Sequence, residues 1–289
     1  MNTDPRYEIV KGDCLEWLCS RRQPEVHLTF VDPPFRQGKE YKFFDDNQPE
    51  DKYWAWLGEV LSHIRRITVD GGAVYFMHRE KNAERVLRLL REGGWAFQNL
   101  IIWKKRTSAV PCQHRYSKQY QIIAFATKGE KARVFNKLRI DLPVRPEYKA
   151  QRANGVYVTD VWDDIRELTS GYFAGDEAIR TPTDQRVHTQ QSPVALLLRI
   201  ILTSTLPEDT VLDPFAGTGT TLVVARQLKR NSIGIEIDPD YAKIVQMRVK
   251  CPRASDSVMR YYQYYRYTEH LNTTWSVEKG AVIAESVGV

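Results

Sequence analysis

The sequence predicts an α/β protein with a doubly wound, mostly parallel sheet that is covered by helices on both faces. Short apolar runs alternate along the chain with segments that carry apolar residues at helical spacing. Several runs are apolar at successive positions, which is typical of strands buried on both faces. Two runs end in turns that carry an aspartate, Asp32 and Asp213, and ligands of such sheets bind beyond the carboxyl ends of the strands.

The elements follow in chain order. The first three are a strand at 7–10, a short helix at 15–21 and a strand at 26–31. Trp54, Leu57, Leu61 and Ile64 share one helical face, and Gly71-Gly72 is expected to end that helix. The remaining predictions are a buried strand at 73–77, a helix at 83–90, strands at 97–103 and 121–127, a helix with Ser192 as N-cap and Pro193 as first residue, a strand from 211, a helix at 222–228 and a strand at 232–236.

Composition restricts the class of protein. The chain has 289 residues, of which 42% are hydrophobic, so one large domain with insertions is expected. A formal charge of +6 favours a polyanionic partner. The four cysteines form no Cys-x-x-Cys pair, which predicts neither a zinc site nor a disulfide framework. No apolar stretch approaches the ~20 residues of a membrane span. No signal peptide is visible, so a reducing cytoplasm is expected.

The first motif is the tetrapeptide Asp32-Pro33-Pro34-Phe35, which follows the apolar run 26–31. The carboxylate of Asp32 can accept a hydrogen bond from an aromatic amino group. The two prolines lack N–H donors, so the turn presents carbonyl oxygens there. Phe35 offers a face on which a flat base can stack. The same letters also suit a plain strand-to-turn ending.

The second motif is the stretch 211–221, in which an apolar strand leads into a Gly-x-Gly turn and a helix. Gly217 and Gly219 permit a tight turn and close approach of a ligand to the backbone. The third glycine of a dinucleotide fingerprint and the lysine of a phosphate loop are both missing. The next strand ends in Glu236, a carboxylate that suits a ribose diol. An ordinary glycine-rich turn is the alternative interpretation.

Together the two motifs resemble those of the amino-group DNA methyltransferases that use S-adenosylmethionine. Residues 32–35 look like the catalytic motif of that family, and residues 213–221 look like its cofactor motif. The catalytic motif comes first, as in the circularly permuted β group. The resemblance implies a class I methyltransferase (Rossmann-like) fold, circularly permuted, with an inserted target-recognition region. It also implies S-adenosylmethionine as cofactor and double-stranded DNA as partner, and it allows a homodimer and a cognate restriction endonuclease.

The resemblance also implies site residues. The catalytic set is Asp32, Pro33, Pro34 and Phe35. Ser192 stands where many members have lysine, and its hydroxyl is expected to take over that contact. The expected cofactor-binding set is Asp13, Cys14, Ser192, Asp213, Pro214, Phe215, Ala216, Gly217, Gly219, Thr220, Thr221, Glu236 and Ile237. The expected DNA-binding set is Arg36, Lys39, Lys104, Lys105, Arg106 and His114, and no metal is expected. A solvated turn is an equal alternative for 104–106, and a structural role is the alternative for His114.

Four segments are predicted. Residues 1–128 and 189–250 form the catalytic and cofactor-binding halves of one methyltransferase domain. Residues 129–188 break the strand–helix pattern and are rich in cations and turn residues, so the resemblance makes them the target-recognition insertion; a structural insertion is the alternative. Residues 251–289 form a C-terminal extension. Its tyrosine-rich stretch 261–267 is expected to pack on the body rather than stack on bases.

The expected reaction is direct methyl transfer to an exocyclic amino group. The lone pair of that nitrogen is delocalised into the ring, and hydrogen bonds to the Asp32 carboxylate and the Pro33 carbonyl would localise it. The base must be flipped out of the duplex to reach this geometry. Adenine N6 is favoured over cytosine N4, because aspartate at the first position is commoner in adenine members. RNA or protein amide methylation, a silent DNA-binding module and an NAD-linked oxidoreductase are the alternatives.

Overall fold

The structure is a computed structural model that describes residues 4–39, 41–107, 111–142, 153–168, 175–181, 183–188 and 190–275. The strands are β1 (Tyr7–Lys11), β2 (Val26–Val31), β3 (Thr68–Arg79), β4 (Ala96–Lys104), β5 (Tyr120–Thr127), β6 (Arg139–Ile140), β7 (Val156–Tyr157), β8 (Val161–Trp162), β9 (Thr210–Asp213) and β10 (Asn231–Glu236). The helices are α1 (Cys14–Ser20), α2 (Glu50–Ile67), α3 (Ala83–Glu92), α4 (Val194–Ser204), α5 (Thr220–Gln227), α6 (Pro239–Lys250) and α7 (Leu271–Thr274).

The predicted α/β class with a mostly parallel sheet is confirmed. In the described residues, eight strands form one sheet in the order β1-β10-β9-β2-β3-β5-β4-β8. Of these eight strands, β5 alone runs antiparallel to its neighbours, β3 and β4. The late strand β9 pairs in parallel with the early strand β2, with Leu28 opposite Val211 and Thr29 opposite Leu212. This pairing brings the carboxyl ends of the two motif strands to the same edge of the sheet.

Helices cover both faces of the sheet. One core lies under α1, α2 and α3, where the predicted face of α2, with Trp54, Leu57, Leu61 and Ile64, is buried. The other core lies under α4 and α5. Strand β2 contributes to both, since Leu28 and Phe30 face one core and Val31 faces the other. Burial on both faces explains why these strands are apolar at successive positions.

The expected role of Gly71-Gly72 is wrong. Helix α2 ends at Ile67, and both glycines lie inside β3. The N–H of Gly71 donates to the carbonyl of Lys128, and the N–H of Arg133 donates to the carbonyl of Gly71. A Cβ on Gly71 would lie 2.7 Å from the backbone nitrogen of Arg133, and the φ of Gly71 is +73°. These glycines therefore permit close backbone approach within the sheet rather than ending a helix.

The start of the late helix also differs from the prediction. Helix α4 begins at Val194, Pro193 occupies the N-cap position, and the cap has no side-chain hydrogen bond. The hydroxyl of Ser192 donates instead to a carboxylate oxygen of Asp32. A proline cannot donate a backbone hydrogen bond, so it fits this start. Ser192 is thus free of a capping role and faces the carboxyl edge of the sheet.

The interval 129–188 and the C-terminal segment pack against this framework. In the described parts of the interval the regular elements are β6, β7 and β8, and β8 joins the sheet beside β4. Tyr265 and Trp275 are buried under α4, so the expectation that the tyrosine-rich stretch packs on the body is confirmed. Residues 276–289 lie outside the described residues. No helix among the described residues is long and apolar enough to cross a membrane.

Candidate active site

The carboxyl ends of β1, β2, β9 and β10 surround one cavity of about 140 Å³. Both motifs reach it, because Asp32 and Asp213 lie in its wall. Of the expected cofactor residues, Gly219 alone is absent from the lining. The cavity brings together Asp13, Cys14, Ser192, Asp213, Pro214, Phe215, Ala216, Gly217, Thr220, Thr221, Glu236 and Ile237, and also Asp32, Pro33 and Pro34.

The turn after β9 is held by hydrogen bonds to Asp213. Its carboxylate accepts from the backbone N–H of Phe215 at 3.0 Å and from the hydroxyl of Thr221 at 2.5 Å. Burial raises the pKa of Asp213 to about 6. Gly219 supports the turn from outside the cavity: its φ is +81°, and a Cβ there would lie 2.7 Å from a methyl of Val245. Two constraints therefore favour glycine at position 219: the close packing against α6 and the left-handed backbone at the start of α5.

Two further carboxylates line the cavity from β10 and α1. The oxygens of Glu236 accept from the N–H of Gly217 at 2.7 Å and of Asp238 at 2.8 Å. Burial raises the pKa of Glu236 to about 7. Asp13 caps α1 by accepting from the backbone N–H groups of Leu15 and Glu16. The adjoining thiol, Cys14, is buried, and burial raises its pKa.

Sequence reasoning missed much of the cavity wall. Aromatic residues from β2, α2, α6, the loop before α2 and the turn after β9 line it, and Trp56 packs against Phe215 with ring centroids 5.6 Å apart. The missed lining residues are Gly12, Phe30, Tyr41, Lys42, Phe43, Phe44, Trp56, His188, Gln190, Gln191, Thr218, Ile235, Asp238 and Tyr241. Gly12, Tyr41, Gln190, Gln191 and Thr218 lie in or beside segments that resemble the family, which was the available signal. Most of the others belong to loops and helix ends with no periodic pattern.

A second cavity, of about 250 Å³, adjoins the first. Four residues line both: Asp32, Gln190, Gln191 and Ser192. The second cavity is otherwise lined by Phe35, Met77, Trp103, Lys105, Gln121, Glu167, Leu168 and Arg186. Asp32 therefore sits where a group in one cavity can meet a group in the other.

Asp32 is half-buried and borders both cavities. The hydroxyl of Ser192 donates to its Oδ2 at 3.3 Å. Burial and then the negative charge of Asp213 raise the pKa of Asp32 to about 8, against the opposing effects of Ser192, Lys105 and Lys39. The side chain is thus poised near its titration point at physiological pH, which is a feature of groups at functional sites.

The Asp-Pro-Pro-Phe turn is held from behind by α2 and β3. The hydroxyl of Tyr53 donates to the carbonyl of Pro34 at 2.6 Å and lies 3.0 Å from Nε2 of His78. Phe35 is buried with its ring 5.0 Å from that of His78. Burial lowers the pKa of His78 to about 3, so this support is a neutral imidazole. One part of the Phe35 ring lines the second cavity, and its stacking on a base stays a prediction.

The loop after the turn is organised by Asp46. Its carboxylate accepts from the backbone N–H groups of Arg36, Gln37 and Lys39 at 2.7–3.0 Å. Arg36 has a φ of +51° and donates through its side chain to the carbonyl of Gln48. Arg36 and Lys39 are half-buried beside the site. Their expected contact with DNA stays a prediction.

The cations after β4 do not point the same way. Lys104, Arg106 and His114 are exposed, as a phosphate contact requires. Lys105 is turned inward: its ammonium lies 3.2 Å from the centroid of the Trp103 ring and lines the second cavity. Lys104 is the last residue of β4, and Lys105 continues the extended chain with a backbone hydrogen bond to the carbonyl of Gln119. Successive side chains of an extended chain point to opposite faces, which explains the split between Lys104 and Lys105.

Comparison with known proteins gives matches to DNA methylases. A family model described as DNA methylase, of the N6/N4 type, matches residues 26–247. The DNA adenine methyltransferase YhdJ of Escherichia coli (strain K12) is 32% identical over 251 residues, which cover 82% of this chain and 80% of YhdJ.

Solved structures share the fold. The M1.HpyAVI–SAM complex aligns with a TM-score of 0.58 at 22% identity, over 84% of this chain and 98% of that chain. The cytosine-N4-specific PvuII DNA methyltransferase aligns with a TM-score of 0.61 at 19% identity, over 92% of this chain and 95% of that chain.

Proposed function

The chain belongs to the N6/N4 family of DNA methylases, and on that premise we propose that it transfers a methyl group from S-adenosylmethionine to the exocyclic amino group of a base extruded from double-stranded DNA. The observation that carries the proposal is the position of Asp32, in the wall shared by the two cavities. One cavity suits the methyl donor and the other suits the flipped base.

The first cavity fits a cationic, nucleoside-containing donor. Its lining includes five carboxyl groups, from Asp13, Asp32, Asp213, Glu236 and Asp238. Among the described lining residues Lys42 is the one lysine; it is exposed, and its ammonium lies 3.6 Å from the carboxylate of Asp240. This charge pattern suits a sulfonium and an α-amino group, and it repels the pyrophosphate of a dinucleotide. It therefore disfavours the NAD-linked alternative.

Named residues would hold the donor. Glu236, at the end of β10, is placed to accept hydrogen bonds from a ribose diol, and Trp56 and Phe215 supply apolar surface. The backbone at Gly217, with φ of +51°, leaves room for close approach. Bound S-adenosylmethionine supplies an electrophilic methyl group on its sulfonium.

The residues of this chain would prepare the amino group. Asp32, once ionised, accepts a hydrogen bond from the amino group of a base in the second cavity, and the Pro33 carbonyl is proposed to accept the second. These bonds localise the nitrogen lone pair for in-line attack. Tyr53 and Ser192 hold the turn and the carboxylate in place. The contribution of the protein is mainly positioning, which can supply several kcal/mol of the barrier, up to about 10.

We propose adenine N6 as the methylated atom and keep cytosine N4 as the alternative. The printed name of YhdJ specifies adenine, and the resemblance associates aspartate at position 32 with adenine members. We further propose that the chain divides at residues 128, 188 and 250 and that its fold is circularly permuted. A homodimer, a cognate restriction endonuclease and a cytoplasmic location are also proposals. The exposed cations Lys104 and Arg106 are proposed phosphate contacts.

The test is transfer of labelled methyl from S-adenosylmethionine to unmethylated genomic DNA, followed by mass spectrometry of the nucleosides. We expect N6-methyladenine, and no label with Asp32→Ala, which should still bind the cofactor in calorimetry. Asp70→Ala is the matched control, because Asp70 is 97% exposed near the start of β3, away from the site. Detection of N4-methylcytosine would instead identify cytosine N4 as the methylated atom. Cofactor binding without transfer to DNA would favour an RNA or protein acceptor or a silent binding module.

A further inference from the structure

Three side chains that can bind a metal ion meet where α1 packs on α2. Cys19 lies in the last turn of α1, and Glu59 and His63 lie one turn apart on α2. One donor atom of each side chain lies within 4.8 Å of the donor atoms of the other two. All three residues are absent from the described linings of the two cavities at the candidate active site. The cluster is therefore separate from the residues proposed for methyl transfer.

The imidazole of His63 is the centre of this cluster. Its Nε2 lies 3.3 Å from the Sγ of Cys19 and 3.8 Å from a carboxylate oxygen of Glu59. Its Nδ1 is buried and has no hydrogen-bond partner in the described part of the chain. Burial, reinforced by the charge of Arg66, lowers the pKa of His63. The ring is therefore neutral at neutral pH, and Nε2 can present its lone pair to a metal ion.

The thiol and the carboxylate approach the same ring nitrogen, which distinguishes this cluster from a nucleophilic triad. In a triad the nucleophile contacts one nitrogen of the imidazole and the carboxylate contacts the other. Around a tetrahedral zinc ion, bonds of about 2.0–2.3 Å place neighbouring ligand atoms roughly 3.3–3.6 Å apart. The sulfur–nitrogen distance of 3.3 Å meets this spacing, and the nitrogen–oxygen distance of 3.8 Å is slightly longer. Because the Glu59 side chain is 56% exposed, it can rotate to close the difference.

The kinds of donor atom select the ion. Mg²⁺ and Ca²⁺ take oxygen ligands, whereas cysteine, histidine and a carboxylate are all established ligands of zinc. An ionised thiol and an ionised carboxylate would also balance the two charges of Zn²⁺. The sequence predicts no zinc site because its cysteines lack Cys-x-x-Cys spacing. That criterion does not apply to a site assembled from two helices, of which one supplies a single cysteine.

We propose that Cys19, Glu59 and His63 bind a zinc ion that ties the end of α1 to α2. The thiol releases its proton to solvent, and the thiolate, Nε2 and the carboxylate each form one bond to the metal. Water completes the fourth position of the tetrahedron. The start of α1 carries Asp13 and Cys14 into the first cavity, so the ion would fix the far end of the helix that forms part of that wall. The inference does not depend on the proposed function.

The test is zinc binding by the full chain in calorimetry, after a chelator has removed any metal, with thermal unfolding in parallel. We expect one zinc ion per chain and a rise in Tm of about 5–10 °C at roughly 100 times Kd. Cys19→Ser and His63→Gln should each weaken binding by at least about tenfold and lose most of that rise. Cys251→Ser is the matched control, because Cys251 is an exposed free thiol at the end of α6. Cobalt(II) in place of zinc should give thiolate-to-metal charge-transfer absorption that Cys19→Ser abolishes and Cys251→Ser retains.

Three results would overturn the inference: no zinc binding by the folded wild type, zinc affinity unchanged in Cys19→Ser and His63→Gln, or cobalt absorption that depends on Cys251. The Tm of each metal-free variant shows whether it folds. Where His63→Gln does not fold, Glu59→Gln replaces it, since that side chain is exposed, and this variant should also weaken zinc binding. The measurements use neither DNA nor S-adenosylmethionine, so failure of the proposed methyl transfer would leave their interpretation unchanged.

Discussion

Replacing Asp32 with asparagine should make the protein more stable at alkaline pH. The folded state raises the pKa of Asp32 from 3.8 to about 8, mainly through burial. A carboxyl group whose pKa is raised by folding stabilises the fold at low pH, and that contribution is lost as the pH rises from about 4 to about 8. Asparagine has nearly the same shape and does not ionise, so the variant should not lose stability in this window.

The magnitude follows from the size of the shift. A pKa shift of one unit corresponds to 1.36 kcal/mol of stability. The shift of Asp32 from 3.8 to about 8 would therefore change the free energy of unfolding by about 6 kcal/mol if the carboxylate had no access to water. Asp32 borders two cavities, and water in them screens the charge. At pH 8.5 we therefore expect the free energy of unfolding of Asp32→Asn to exceed that of wild type by about 1–3 kcal/mol. This difference corresponds to a rise in Tm of about 2–8 °C.

The assay is thermal unfolding of wild type and Asp32→Asn at pH 5.0 and pH 8.5 without ligands, with Asp70→Asn as the exposed control. The gap in Tm between Asp32→Asn and wild type should widen from pH 5.0 to pH 8.5, and the control should show no such change. Asparagine retains an acceptor oxygen, so the variant should keep part of the transfer rate while losing its dependence on pH. An asparagine variant that is equally or less stable at pH 8.5 would refute the reasoning.

Three further predictions address the turn, the core and the DNA surface. Gly219→Ala forces a left-handed backbone onto alanine and drives its Cβ against Val245, so we expect a loss of about 1–3 kcal/mol in urea unfolding and weaker cofactor binding in calorimetry. Asp164→Asn removes the carboxylate that pairs with buried Arg199, and urea unfolding should show a loss of about 3–5 kcal/mol, because a buried cation is left uncompensated; little change would mean that solvent reaches that cation. DNA affinity should fall steeply with salt, and Arg106→Ala should reduce the slope of log K against log[salt] by about 1; a salt-independent affinity would contradict the proposed basic DNA face.

Much of the sheet could be predicted because its information is local. The apolar run at 26–31 coincides with β2, and the buried face of α2 follows from helical spacing. Boundaries governed by distant contacts could not be predicted. The pair Gly71-Gly72 predicts the end of a helix, but in the structure it allows the backbone of residues 128–133 to pack closely against β3. No local pattern reports such an approach.

The candidate site shows the same division. Apart from Gly219, the residues of the two motifs at 32–35 and 213–221 line the cavities, but the residues that hold them come from elsewhere. Tyr53 and His78 support the Asp-Pro-Pro-Phe turn from α2 and β3, and Asp46 orders the loop that follows. Lys105 belongs to a run of three cations, 104–106, for which the sequence predicts a single exposed patch. Its burial over Trp103 follows only from the strand direction and the neighbouring chain.

The sequence by itself determined the strand–helix alternation, the two turns with their carboxylates, and the resemblance that relates them to amino-group methylation. These features depend on residues within about a dozen positions of one another, where propensity, periodicity and turn chemistry act. The tertiary structure decided that Asp32 and Asp213 share one cavity, that Asp32 also borders a second, and that Lys105 faces inward. Those facts depend on the pairing of β2 with β9, strands separated by most of the chain, and on burial that shifts pKa values only once the pairing has formed.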